Sequence, residues 1–181
     1  MRTNIVATSR FLSYVLRHRP DTIGVDLDEG GWIAIETLLA ALARHGRPIT
    51  RDVINQLAAG TDKQRFEIKN DRIRAAQGHS IQVDLRLTPV APPPLLYHGT
   101  VERYLARIRQ EGLQPRGRTH VHLSTDPQTA AAVGTRRGHP IVLIVDADGM
   151  HRHGFTFYQA ANGVWLTNHV PPQWLDTFSS S

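Results

Sequence analysis

Apolar residues in the first sixty positions recur at helical spacing and predict three helices. Ser9 is the expected cap of the first helix and Pro20 its stop, since proline cannot continue a helix. The second helix spans 35–44 and is ended by Gly46, and Thr50 caps the third. The inward-facing positions are predicted to be Phe11, Leu12, Val15, Leu16, Leu38, Leu39, Leu42, Val53, Ile54 and Leu57.

The hydrophobic period then changes from that of a helix to that of a strand. Phe66 and Ile68 alternate on one predicted strand, and Ile73 and Ala75 return on the next. Asn70-Asp71 between them favours a tight turn. Three helices followed by a β-hairpin resemble a winged helix, an architecture common in nucleic-acid-binding proteins.

A proline-rich segment over 85–94 separates this pattern from a different one. Proline supports neither a helix interior nor a central strand, so the segment is predicted to be a semi-rigid linker between an N-terminal lobe, 1–84, and a C-terminal lobe, 95–181. The C-terminal lobe alternates short strands and helices, which gives an α+β fold class in two lobes. The strands are predicted at 95–98, 120–124, 141–145 and 163–167, and the helices at 101–110 and 127–133.

Composition narrows the function classes. The 181 residues carry a net charge of +5 and a pI of about 10.2, which favours a polyanionic partner. There is no cysteine, so disulfides, thiolate metal sites and a cysteine nucleophile are excluded. No apolar run approaches a membrane span and no signal peptide is recognisable, so no membrane partner and a cytoplasmic location are expected.

Two groups of basic residues are candidates for binding phosphate in the N-terminal lobe. Arg17 and His18 fall at the C-terminal end of the first helix, where the helix dipole favours a cation. Arg65 begins the strand that contains Phe66. Each residue taken alone also fits a surface position, either at a helix end or on an edge strand.

Two polar motifs are candidates for ligand binding in the C-terminal lobe. His98-Gly99-Thr100 is predicted to end a strand at a glycine, which would let a ligand approach the backbone; a strand-to-helix turn capped by Thr100 is the alternative. Alternation over 118–124 places Arg118, His120, His122 and Ser124 on one face, which is either a site or a solvent face.

The chain carries no familiar motif of several other enzyme classes. The pairs His120/His122 and His151/His153 are not expected to bind metal, because zinc sites usually add further ligands. A Walker loop, a Gly-x-Gly-x-x-Gly fingerprint and a nucleophile elbow are all absent from the sequence. Kinase, Rossmann dehydrogenase and α/β-hydrolase functions therefore have no support.

Together these motifs make the chain resemble the KptA-type RNA 2′-phosphotransferases from about Ser9 to Leu175. The resemblance implies a winged-helix-like RNA lobe and a C-terminal lobe related to ADP-ribosyltransferases. It rests on Leu-Ser-Tyr-Val-Leu-Arg-His (12–18), Asp-Lys-Gln-Arg-Phe (62–66), Gln-Gly-His-Ser (77–80), Tyr-His-Gly-Thr (97–100), Arg-Thr-His-Val-His-Leu-Ser (118–124) and Asn-Gly-Val-Trp-Leu-Thr (162–167).

The resemblance also implies site residues, substrates and a reaction. The chain would remove an internal RNA 2′-phosphate by transferring it to NAD, through an ADP-ribosylated RNA 2′-phosphate, and would release nicotinamide and ADP-ribose 1″,2″-cyclic phosphate. It would act as a monomer and without metal. By motif match the catalytic residues are Arg17, His18, Arg65 and Arg118, and the NAD-binding residues are His98, Gly99, Thr100, His122, Leu123 and Ser124.

Two other functions stay open at this point. An ADP-ribosyltransferase acting on nucleic-acid phosphate ends would share the NAD lobe and stop after the first step. A non-catalytic RNA-binding module would use only the N-terminal lobe, and it would leave Arg118 and the His-Gly-Thr motif without a purpose.

Overall fold

A computed structural model describes residues 4–60, 64–135 and 138–177. Within these residues the fold is mixed α and β, with six α-helices and three small antiparallel sheets. The chain divides into two compact units, Met1–Arg86 and Leu87–Ser181. The linker predicted over 85–94 stays a prediction. No helix in the described part of the chain is long and apolar enough to cross a membrane.

The first unit is built from three helices and a small sheet. Its sheet has the strand order β1-β3-β2, with Ile33 opposite Ile73 and Phe66 opposite Ala75. Apolar side chains from the helices and from this sheet form one hydrophobic core, which includes Leu12, Leu16 and Leu38. The elements are α1 (Ile5–Arg17), β1 (Ile33–Ala34), α2 (Ile35–Arg44), α3 (Arg51–Ala59), β2 (Phe66–Lys69) and β3 (Arg72–Ala75).

Several predicted features of this unit are confirmed. Helix α2 has the predicted bounds, and Thr50 caps α3 by accepting a hydrogen bond from the N–H of Val53 at 3.4 Å. Asn70 and Asp71 both adopt positive φ, 49° and 56°, as a tight turn between two strands requires. The hairpin therefore follows the local turn chemistry.

One predicted detail of this unit is wrong. Ser9 does not cap α1: the helix begins at Ile5, and its cap is Asn4, whose Oδ1 accepts a hydrogen bond from the N–H of Ala7. Asparagine is as good a cap as serine, and the hydroxyl of Ser9 contacts Arg65 instead. The predicted strand with Phe66 and Ile68 is present at the edge of the sheet; Phe66 is buried there and Ile68 is 37% exposed.

The second unit packs helices against two three-stranded sheets with the orders β4-β6-β9 and β5-β8-β7. A bridge between Tyr97 and Ser124 links β4 to the end of β5. The core includes Leu96, Leu123 and Phe157. The elements are β4 (Leu95–Val101), α4 (Glu102–Glu111), β5 (Val121–Leu123), α5 (Pro127–Gly134), β6 (Pro140–Asp146), α6 (Ala147–Arg152), β7 (Phe157–Gln159), β8 (Trp165–Thr167) and β9 (Leu175–Thr177).

The predicted elements of this unit are present, but some bounds differ. Strand β4 does not end at Gly99; it continues to Val101, which directly precedes α4, so Thr100 does not cap that helix. Strand β5 is shorter than predicted, and three elements were not predicted at all, namely α6, β7 and β9. Each of these three spans six residues or fewer, too few to show a clear hydrophobic period.

Candidate functional site

The C-terminal end of α1 carries the first predicted pair. Arg17 is the last residue of the helix, and the N–H of His18 still donates to the carbonyl of Tyr14 at 3.0 Å. The carbonyl of Arg17 accepts from the N–H of Ser80 at 2.9 Å, so the chain near residue 80 docks on the helix end. Both basic side chains therefore lie where the helix dipole stabilises positive charge.

Arg65 is tied to the same helix. Its Nη1 donates to Oγ of Ser9 at 3.0 Å, and its carbonyl accepts from the N–H of Ala76 at 2.9 Å. Ser9, Ser13 and Arg17 follow one another at intervals of four residues and share one face of α1. Ser9 and Arg17 are about 12 Å apart along the helix axis, so Arg65 contacts the same face of α1 on which Arg17 lies. Asp62 and Lys63 of the same motif lie outside the described residues.

In the second unit the structure brings His98, His122 and Ser124 together at neighbouring strands. Tyr97 and Ser124 exchange two backbone hydrogen bonds of 2.8 and 2.9 Å. Next to this bridge, Nδ1 of His98 lies 3.0 Å from the carbonyl oxygen of His122. A carbonyl oxygen only accepts, so Nδ1 of His98 carries a hydrogen and the imidazole is held in one orientation.

Arg118 joins this cluster through His122. Its Nη1 donates a short hydrogen bond to Nδ1 of His122. A guanidinium only donates, so Nδ1 of His122 is the accepting nitrogen, and the neutral ring carries its hydrogen on Nε2. Arg118 itself is exposed, before the start of β5. A cation and two imidazoles with defined hydrogen-bonding roles thus lie at one polar face.

The predicted alternation over 118–124 is present only in part. Val121 and Leu123 are buried and His122 points to the opposite, partly exposed face, as expected. His120 precedes the strand and lies edge-on to the ring of Tyr158, with the ring centroids 5.7 Å apart. Burial lowers the pKa of His120 below its ordinary value. His120 is therefore a partly enclosed neutral imidazole beside an aromatic ring.

Gly99 and Thr100 lie under helix α5. A Cβ atom on Gly99 would come within 1.8 Å of the carbonyl oxygen of Ala130, and Thr100 is only 7% exposed. The absent side chain therefore lets helix backbone approach the strand closely. Leu123 is a core residue, 2% exposed, so its contribution to any ligand site would come from its backbone.

Comparison with known proteins gives one consistent result. A profile described as "RNA 2'-phosphotransferase, Tpt1 / KptA family" matches residues 3–169. The chain belongs to the RNA 2′-phosphotransferase family.

Relatives of this family match over nearly their whole length. A protein of Streptomyces coelicolor named "Probable RNA 2'-phosphotransferase" is 56% identical over 170 residues, which cover 94% of this chain and 93% of the relative. Proteins of the same name from Acaryochloris marina and Hahella chejuensis are 48% and 49% identical over 176 and 183 residues. They cover 96% and 100% of this chain, and 97% and 98% of their own length.

One buried residue of this RNA 2′-phosphotransferase family chain was missed as a site candidate. His79 is fully buried, and neither ring nitrogen has a hydrogen-bond partner among the described residues. Burial, and then the charges of Arg17, Arg74 and His18, lower its pKa from 6.5 to about 4. In the sequence, only its position in the motif Gln-Gly-His-Ser distinguishes His79 from other histidines, because hydrophobic periodicity says nothing about a single polar residue.

The described residues contain no candidate metal site. Within residues 4–60, 64–135 and 138–177, no three side chains of the types His, Cys, Asp or Glu are arranged to hold a metal ion.

His79 makes the stability of the phosphotransferase chain depend on pH. The unfolded chain takes up a proton at this side chain near pH 6.5, whereas the folded chain does so near pH 4. Stability is therefore lost as pH falls through this window, and the contribution of His79 between pH 7 and pH 4 is about 3 kcal/mol. Urea unfolding at several pH values should show that His79→Phe removes this part of the pH dependence.

The comparison needs a second histidine variant. His151→Phe removes an exposed histidine of the second unit and controls for the general effect of replacing a histidine by phenylalanine. If His79→Phe and the wild type lost stability in parallel down to pH 4, the buried neutral state of His79 would be wrong.

Proposed function

We propose that this chain is an NAD-dependent RNA 2′-phosphotransferase, which transfers an internal RNA 2′-phosphate to NAD. The observation that carries the proposal is the hydrogen-bonded cluster of Arg118, His122 and His98. It supplies a cation and two imidazoles whose donor and acceptor nitrogens are defined. These groups suit a ligand rich in phosphate and hydroxyl groups. Family membership adds the substrate class, an RNA 2′-phosphate.

The first unit is proposed to be a winged-helix-like RNA lobe. It has three helices and a β-hairpin in the corresponding order. In this lobe Arg17, His18 and Arg65 would bind the 2′-phosphate. Arginine offers several donors in a planar fork that matches phosphate oxygens, and Arg65 bonds Ser9 on the face of α1 that also carries Arg17.

The second unit is proposed to be an ADP-ribosyltransferase-like lobe that binds NAD as a co-substrate. His98 would accept a hydrogen bond from a ribose hydroxyl, because its Nδ1 already donates to the carbonyl of His122. His122, Leu123 and Ser124 would line the same ligand along β5, Leu123 through its backbone. Helix α5 covers Gly99 and Thr100, so these two residues would help NAD binding indirectly, by fixing the backbone of β4 that carries His98.

The first step would need positioning and no general base. The RNA 2′-phosphate is already an anion, and it would attack the anomeric carbon of the nicotinamide ribose and displace nicotinamide. Arg17, His18 and Arg65 would hold the attacking oxygen in place, which is how a well-oriented reaction gains most of its rate. The product would be an ADP-ribosylated RNA 2′-phosphate.

The second step would be a phosphoryl transfer within this intermediate. The ribose 2″-hydroxyl would attack the phosphorus and lose its proton to water, and the RNA 2′-oxygen would depart as ADP-ribose 1″,2″-cyclic phosphate forms. Arg118 would stabilise the charge that develops on the phosphoryl oxygens. His18 would donate a proton to the departing oxygen, a role for which an imidazole is suited near neutral pH.

The test is incubation of the purified protein with NAD and a short RNA that bears one internal 2′-phosphate, without added metal. The expected products are RNA with a free 2′-hydroxyl, nicotinamide and ADP-ribose cyclic phosphate. The same RNA without its 2′-phosphate is the control and should release no nicotinamide.

Two other outcomes would overturn the proposal. If ADP-ribosylated RNA persisted as the end product of the wild type, the chain would be an ADP-ribosyltransferase. If RNA bound but NAD was not consumed, the chain would be a binding module.

A further inference from the structure

Ser80 lies in a turn that caps α1. The N–H groups of Ser80 and Ile81 both donate to the carbonyl oxygen of Arg17, at 2.9 and 3.4 Å. The last carbonyl groups of a helix have no partner inside the helix, and this turn supplies one. The turn is thereby fixed to the backbone of the Arg17–His18 pair.

The side chain of Ser80 reaches the ring of His18. Its Oγ lies 2.8 Å from Nδ1 of His18 and shares a hydrogen bond with it. A hydroxyl can donate or accept, so the bond persists whether the imidazole is neutral or protonated. Because Ser80 bonds Nδ1, proton exchange between His18 and a substrate would use Nε2.

The residue before Ser80 holds the turn in place. His79 is fully buried, and a Cβ atom on Gly31 would lie 3.5 Å from its Nε2. The preceding residue, Gly78, is buried with a φ of 87°, a conformation that other residues rarely adopt. Ser80 itself is exposed, so its hydroxyl is presented to His18 from an enclosed base.

We propose that Ser80 is a positioning residue for phosphotransfer: it orients the imidazole of His18 so that Nε2 can donate a proton to the departing RNA oxygen. This rests on the proposed function and adds to it a residue outside the set implied by the resemblance. Ser80 acts through His18 and touches neither the RNA phosphate nor NAD. Since its side chain is exposed, loss of the hydroxyl should change fold stability little.

The kinetic test separates the two chemical steps in Ser80→Ala. The second step, in which the ADP-ribosylated intermediate is converted to RNA with a free 2′-hydroxyl, should slow about 10-fold. This factor is the usual effect of losing one such hydrogen bond. Nicotinamide release and the KM for RNA should change by less than this, because Arg17 and Arg65 still hold the phosphate. Ser80→Thr keeps a hydroxyl and should restore the second step.

A histidine in the corresponding position of another helix provides the control. His45 follows α2 as His18 follows α1, and its Nδ1 lies 3.0 Å from the carbonyl oxygen of Ala41. His45→Ala should leave both steps unchanged. A second step in Ser80→Ala as fast as that of the wild type would overturn the proposal.

A spectroscopic test does not depend on turnover. In protein labelled with ¹⁵N at histidine, Ser80→Ala should shift the Nδ1 resonance of His18 and leave that of His45 in place. An unchanged His18 resonance would show that Ser80 does not hold the ring. If the wild type itself formed no product, the proposed function would fail, and this resonance would still decide whether Ser80 orients His18.

Discussion

Arg118→Ala should accumulate ADP-ribosylated RNA 2′-phosphate. Nicotinamide release should continue, because that step depends on positioning by Arg17, His18 and Arg65. The second step should slow by a factor on the order of 10³ to 10⁵, the usual worth of an arginine that stabilises a transferring phosphoryl group. Separation of the RNA species over time, with NAD in excess, measures both rates in one experiment.

Arg107→Ala is a matched control for charge. It removes one arginine from the same unit, whose Nε donates to Glu111 on the surface of α4. Both steps should continue at wild-type rates in this variant. A normal second step in Arg118→Ala would contradict the assigned role of Arg118.

Gly99→Ala should destabilise the second unit by roughly 3 kcal/mol, at the upper end of what overpacking costs. The new Cβ atom would come within 1.8 Å of the carbonyl oxygen of Ala130 and 2.7 Å of its carbon. Helix backbone cannot rotate away as a side chain can, so α5 must shift away from β4. Denaturant unfolding of the variant measures the loss.

Gly117→Ala controls for the general effect of adding a methyl group. A Cβ atom there meets no other atom within 4 Å, so the free energy of unfolding should change by less than about 0.5 kcal/mol. If Gly99→Ala were as stable as the wild type but no longer bound NAD, Gly99 would serve the ligand and not the packing of α5.

Local sequence signals were sufficient where the structure follows local rules. The cap of α3 at Thr50, the turn at Asn70 and Asp71 and the bounds of α2 each depend on a few neighbouring residues. The signals failed where long-range packing decides. A serine before an apolar face suggested a cap at Ser9, yet the helix continues upstream and that hydroxyl contacts Arg65, 56 residues away.

The candidate site likewise has features that the sequence predicts and features that only the structure shows. The residue types were predictable from the sequence and, by resemblance, so was the set Arg17, His18, Arg65 and Arg118. The tautomer of His98 could not be predicted, because its partner, the carbonyl of His122, lies 24 residues away along the chain. Nor could the sequence show that Ser80 bonds the ring of His18, because the two residues lie 62 positions apart along the chain.

By itself the sequence determined the mixed α and β composition, most elements and the family. Hydrophobic period, caps and turns are properties of short segments, and the motifs are long enough to be specific. Only the tertiary structure decided that Gly99 lies under α5, that buried His79 has no hydrogen-bond partner among the described residues and that Ser80 bonds the ring of His18. These facts depend on which distant backbone and side-chain atoms meet, and no local pattern contains that information.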